Sequence, residues 1–236
     1  MNVVVVGAHP DDEILGAGAT LAAHARTGDT VHAVVLAEGA SSRYDDTMKE
    51  ALHRAGRRAA KEIGFASIRF EGLPDQRLDT LPLIEITQRI ETILEELEPQ
   101  VVYTHFPGDV NLDHGVVSRA VWTACRPYRF PHIQRLGVFE TPSSTEWAWP
   151  LADGVFSPNL FVDVSETISA KVAAMECYDV ELRDYPHPRS VLALRQRAAF
   201  WGSHVGRDAV EPFVILRELA HPPVPEGGSH ATLQRR

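Results

Sequence analysis

Only two cysteines, Cys125 and Cys177, occur in the 236 residues, and no Cys-x-x-Cys pair is present. That excludes a disulfide framework and a thiolate zinc site, and both thiols are expected as buried small apolar groups. Positive charge is scarce as well: 23 Lys and Arg against 32 Asp and Glu leave a net charge of -9. The electrostatic footprint of a nucleic-acid or anionic-membrane binder is missing, so the expected partners are small molecules, with self-association left open. No apolar run approaches a membrane span, and the N-terminus enters a strand-like run with no basic leader, which reads as cytoplasmic. Gly7, Gly16 and Gly18 do not give G-x-G-x-x-G, and acids at the following helix entrance would repel phosphate, which counts against a nucleotide-binding module.

What is present begins with Val3-Val4-Val5-Val6, four consecutive β-branched residues with no polar face. Such a run predicts a central strand covered on both sides, as in a parallel sheet. It leads directly into Gly7-Ala8-His9-Pro10-Asp11-Asp12-Glu13, and a helix is expected from Ile14 to Arg26. An imidazole and three carboxylates thus fall at the carboxyl end of a strand, where open α/β sheets bind ligands. Three acids and a histidine in five positions repel one another unless a cation sits among them. One imidazole and one carboxylate can ligate a divalent ion while another carboxylate moves protons beside a metal-bound water. The plain alternative is a solvated acidic loop at a helix N-terminus.

The remaining chain alternates strands and helices, which with 44% hydrophobic content predicts one large α/β domain. Strands are expected at Thr30–Leu36, Ser67–Phe70, Val101–Thr104, Gly137–Glu140, Leu160–Val164 and Glu211–Leu219. Helices are expected from Asp46 or Thr47 to Ile63, from Pro82 to Pro99, beyond Gly115, from a Ser165 cap to Tyr178, and from Val191 to His204. Residues 141–159 read as a long loop in which Trp147 and Trp149 either fill the core or stack on a sugar, packing being slightly favoured. In the doubly wound order 3-2-1-4-5 the first and fourth strands are neighbours. A second cluster, His105 to His114, follows the fourth strand, so His114 can complete a His9, Asp12, His114 ligand set with an open position for water. Asp113 either orients that imidazole or caps the next helix. Arg43, Asp109 and Arg189 lie in loops near the same edge and are candidate substrate-binding residues.

The hexapeptide Ala8-His9-Pro10-Asp11-Asp12-Glu13, with Asp113-His114 after a later strand, resembles the PIG-L/LmbE-like family of metal-dependent N-deacetylases. The resemblance implies a Rossmann-like deacetylase domain over residues 1–220, and residues 221–236 read from the sequence as a flexible tail. It also implies a zinc ion, or another divalent metal such as Fe2+, and hydrolysis of an acetamide on an N-acetylglucosamine-type amino sugar or conjugate. By position His9, Asp12 and His114 match the metal ligands and Asp11 the general base. Many family members carry His-Pro-Asp-His in the second cluster, where this chain has Asn111-Leu112-Asp113-His114. Asn111 can hydrogen-bond an oxyanion but cannot supply a proton. The missing role falls to His105, to His187 in its rigid Pro-His-Pro setting, or to no residue, in which case activity is lost. Competing readings are amide hydrolysis of a thiol conjugate and a non-haem iron oxygenase using His9, Asp11 and His114 on a jelly roll.

Overall fold

A computed structural model describes residues 1–42, 46–148 and 154–220. Its strands are β1 (Asn2–Gly7), β2 (Thr30–Ala37), β3 (Ser67–Leu73), β4 (Val101–His105), β5 (Arg135–Phe139), β6 (Leu160–Asp163) and β7 (Val210–Glu218). The helices are α1 (Asp12–Arg26), α2 (Asp46–Ile63), α3 (Leu83–Leu97), α4 (Leu112–Ala124), α5 (Ile168–Cys177) and α6 (Val191–Val205). All seven strands form one sheet in the order β3-β2-β1-β4-β5-β7-β6.

The four valines of β1 explain the layering. Successive strand residues face opposite sides, so Val3 and Val5 pack with Ile14, Leu15 and Leu21 of α1 and Leu52 of α2. Val4 and Val6 pack with Ile86, Ile90 and Leu94 of α3 and with Val117 and Val121 of α4. A strand sandwiched this way has no solvated face and tolerates no polar alternation.

The expected 3-2-1-4-5 order holds for the first five strands, all in parallel register. The sheet then continues with β7, antiparallel to both β5 and β6. This mixed edge differs from a purely alternating reading, and the largely parallel sheet removes the jelly-roll alternative. Val6 sits opposite Thr104 in the β1–β4 pair, so the loops leaving these strands lie side by side at one edge.

Several boundaries shift. Helix α1 starts at Asp12 rather than Ile14, and α4 starts at Leu112, which places His114 in its first turn. Ser165 does not cap α5; Thr167 holds the N-cap position while the Ser165 hydroxyl donates to Asp163. Cys125 is buried as expected, but Cys177 is only half-buried. Among the described residues no helix is long and apolar enough to cross a membrane. The tail at 221–236 lies outside the described residues.

Candidate active site

The turn after β1 is held from several sides. Ala8 N–H donates to His105 Nε2 at 2.9 Å, and His9 N–H donates to Asp12 Oδ2 at 2.7 Å. Asp11 adopts φ 107°, a conformation that costs a non-glycine residue about 1–3 kcal/mol. Glu13 supports it by accepting from Asp11 N–H at 3.2 Å, and the Tyr178 hydroxyl donates to the other Glu13 oxygen at 2.7 Å. Burial pushes Glu13 up to about 7.

His9, Asp12 and His114 converge on one point. Asp12 Oδ2 lies 3.4 Å from His9 Nδ1 and 3.4 Å from His114 Nε2, and the candidate ligand atoms all lie within 4.8 Å of one another. Bonds of about 2.0–2.1 Å to a tetrahedral ion separate ligand atoms by roughly 3.3 Å. The outward nitrogens face carboxylates: His9 Nε2 donates to Asp113 Oδ2 at 3.1 Å, and His114 Nδ1 lies 3.1 Å from Asp109 Oδ2. Protons assigned to those outward nitrogens leave the inward lone pairs free for a metal. Although burial alone would lower them, Asp113 and Asp12 raise His9 to about 10, and Asp12 and Asp109 raise His114 to about 9. The donor set and its acidic surroundings fit a divalent cation.

Asp11 lies beside this cluster, buried, with Oδ2 3.2 Å from Arg189 Nη1. Burial lifts its pKa well above the ordinary carboxylate range, against the opposing pull of Arg189. Arg189 also donates to Glu181 at 2.6 Å and to the Ser143 hydroxyl at 2.7 Å. A cavity of about 580 Å³ opens above the cluster and is lined by His9, Asp11, Asp12, His114, His187 and Arg189, among others.

Other expectations require correction. Asp113 orients His9 rather than His114, and its second oxygen accepts from Leu78 N–H at 2.9 Å. The α4 cap is Asn111, whose side-chain oxygen accepts from Asp113 N–H. Asp109 is buried and does not line the cavity; it contacts His114 and accepts from the Thr145 hydroxyl at 2.8 Å and from the Ser144 hydroxyl. Its side chain is fully covered and holds His114 and the Ser144–Thr145 turn from behind. His105 is fully buried under Asp12, with Nε2 accepting from Ala8 and Nδ1 3.0 Å from the Thr141 hydroxyl, which removes it from substrate contact. Trp147 is not core but lines the cavity, as does Asn111. Arg43 and Trp149 lie outside the described residues.

Sequence reading did not single out Asp75, Gln76, Tyr178 or Glu181. Asp75 Oδ1 lies 3.6 Å from His9 Nε2, and the Gln76 amide, on a residue with φ 53°, lies 3.1 Å from the same nitrogen. Their signal was available: both sit in the polar loop after β3, at the carboxyl edge of the sheet. Tyr178 and Glu181 carried no such signal.

Comparisons with known proteins point to one family. The family model "PIG-L: GlcNAc-PI de-N-acetylase" matches residues 4–125. The uncharacterized deacetylase YaiS of Escherichia coli (strain K12) is 33% identical over 181 residues, 74% of this chain and 89% of the relative. A probable N-acetyl-alpha-D-glucosaminyl L-malate deacetylase 2 from Bacillus cereus is 25% identical, over 74% of this chain and 80% of its own. The N,N'-diacetylchitobiose deacetylase from Pyrococcus horikoshii superposes with a TM-score of 0.73 at 19% identity, covering 92% of this chain and 84% of its own. The match over both histidine-bearing loops and the similarity to YaiS along most of its length carry one conclusion: this chain belongs to the PIG-L family of deacetylases.

Proposed function

We propose that this protein hydrolyses the acetamide of an N-acetylglucosamine-type amino sugar or its conjugate, releasing acetate and the free amine. The observation that carries this reading is the meeting of His9, Asp12 and His114, from two loops far apart in sequence, with Asp11 beside them in an open cavity. The family description and the curated Bacillus cereus relative support an amino-sugar substrate. Two nitrogens and one oxygen favour zinc, with Fe2+ the alternative.

A divalent ion bound by these three residues would polarise the amide carbonyl and acidify a water molecule. Asp11 takes the water's proton as the water attacks the carbonyl carbon, and returns it to the nitrogen as the C–N bond breaks. The left-handed backbone at Asp11, fixed through Glu13, and the Arg189 contact aim the carboxylate. His187 lines the cavity and accepts Arg189 N–H at Nδ1, so the neutral ring carries its proton on Nε2. Burial, with Arg189 and Arg183 nearby, lowers its pKa and favours that neutral form. His187 therefore serves as a hydrogen-bond donor to the developing oxyanion, in the role left open by Asn111.

Release of acetate from N-acetylglucosamine glycosides by zinc-loaded protein tests the reading. Asp11→Asn should retain bound metal by elemental analysis while losing about 10²–10⁴-fold in kcat. Unimpaired turnover in that variant would remove Asp11 from the reaction.

A further inference from the structure

The cavity is chemically divided. Its floor carries the charged groups already described, but its mouth exposes three large apolar side chains: Val110 is 54% exposed, Leu112 62% and Trp147 55%. Clustered apolar exposure around one opening marks a binding surface, whereas scattered exposure would need no explanation. The mouth is also firmly built. The buried Asp109 carboxylate accepts from Asn111 N–H at 2.9 Å, from the Thr145 hydroxyl at 2.8 Å and from the Ser144 hydroxyl. One side chain thus ties the β4–α4 loop, which presents Val110 and leads into Leu112 at the start of α4, to the turn that presents Trp147. The Trp147 ring packs perpendicular to His187, with centroids 6.1 Å apart.

We propose that this mouth is a subsite for an apolar, ring-bearing aglycone of the substrate, which rests on the reading above that the reacting group is an acetylated amino sugar. With the C2 acetamide on the floor, the aglycone leaves from the adjacent anomeric carbon, and the part of it that extends beyond the sugar runs up the wall toward the opening. A cavity of about 580 Å³ suits a drug-sized ligand, for which roughly 300–1,000 Å³ is usual, and exceeds what one hexose fills. Asp11, Asp12, Asp75 and Glu181 line the cavity; Arg189 and a bound divalent ion would offset them on the floor, so selection at the mouth falls to its apolar side chains. Arg183, whose Nη1 donates to the Val180 and Leu182 carbonyls, is the cation that an acidic aglycone would use instead.

The test compares methyl, phenyl and carboxymethyl β-glycosides of N-acetylglucosamine with zinc-loaded protein, by amine release and by calorimetric binding. The phenyl glycoside should exceed the methyl one at least about tenfold in kcat/KM and in affinity. In Leu112→Ser and Trp147→Ala that ratio should fall toward one, while thermal melting confirms that each variant folds. Equal turnover of methyl and phenyl glycosides, or preference for the carboxymethyl one, overturns the subsite and leaves the deacetylase reading standing. Preferential phenyl binding that is lost in Leu112→Ser, with no amine released from any glycoside, keeps the subsite and overturns the reaction. Neither binding nor turnover of any glycoside overturns both.

Discussion

At the scale of single residues the site is a set of imidazoles sorted by what their outward nitrogens touch. His9 leans on Asp113 and His114 on Asp109, and such outer carboxylates typically contribute 10–100-fold in metal affinity. Asp113→Asn should therefore weaken zinc by about that factor in a chelator competition while leaving the fold intact; unchanged affinity would show that His9 needs no such partner. The third imidazole behaves differently. Burial, with His114 adding to it, lowers His105 to about 4, consistent with Nε2 serving as acceptor for Ala8 N–H. Between pH 6.5 and 4 the unfolded chain binds a proton that the native ring refuses, so this ring's contribution makes the native state lose stability as pH falls through that window. The loss amounts to at most about 3 kcal/mol. The difference in unfolding free energy between wild type and His105→Gln should accordingly narrow on going from pH 7 to pH 4. A constant difference would mean that the ring titrates normally. The convergence of His9, Asp12 and His114 was legible in the sequence because motif and strand order both point to it. Asp113 was assigned to His114 and Asp109 to the substrate, because the turn between β4 and α4 and the first turn of that helix decide which histidine each carboxylate meets, and no local pattern shows it.

At the scale of elements, α1 delivers Asp12 and Glu13 to the site, and its distance from the sheet is set by one glycine. A Cβ at Gly16 would lie 2.1 Å from Phe139 Cδ2 on β5, so the helix rides directly on that ring. Helix propensity favours alanine over glycine by about 1 kcal/mol, but overpacking costs about 1–3 kcal/mol. Gly16→Ala should therefore be net destabilising in denaturant titrations. Combining it with Phe139→Leu should recover part of the loss, and a stabilised single variant would show that α1 can shift freely. Periodicity made β1 to β5 and the helices between them readable, since buried parallel strands and amphipathic helices each leave a pattern. It did not show β7 entering antiparallel between β5 and β6. Val210–Glu218 is buried at its start and partly exposed toward its end, and nothing in that pattern names the neighbour.

At the scale of the molecule, the family model stops at residue 125, yet the later half of the chain closes the same site. It supplies Tyr178 to Glu13, Arg189 to Asp11 and His187 to the cavity, contacts between residues far apart in sequence that no local pattern reveals. A buried ion pair within the later half also grips the backbone of α1. Glu211 on β7 accepts from Lys171 Nζ on α5 at 2.6 Å, from Ala19 N–H at 3.1 Å and from Thr20 N–H at 2.7 Å, while the same Nζ donates to the Leu15 carbonyl at 2.7 Å. Both side chains are buried, so removing either charge strands the other in a low-dielectric interior, which costs about 3–5 kcal/mol, whereas removing both can be nearly neutral. Glu211→Gln alone should then lose about that much unfolding free energy, and Lys171→Met with Glu211→Gln should regain most of it. The recovery is the discriminating measurement. If the double variant is as unstable as the sum of the singles, the two charges act independently, each through its own hydrogen bonds to α1 and not through the pair.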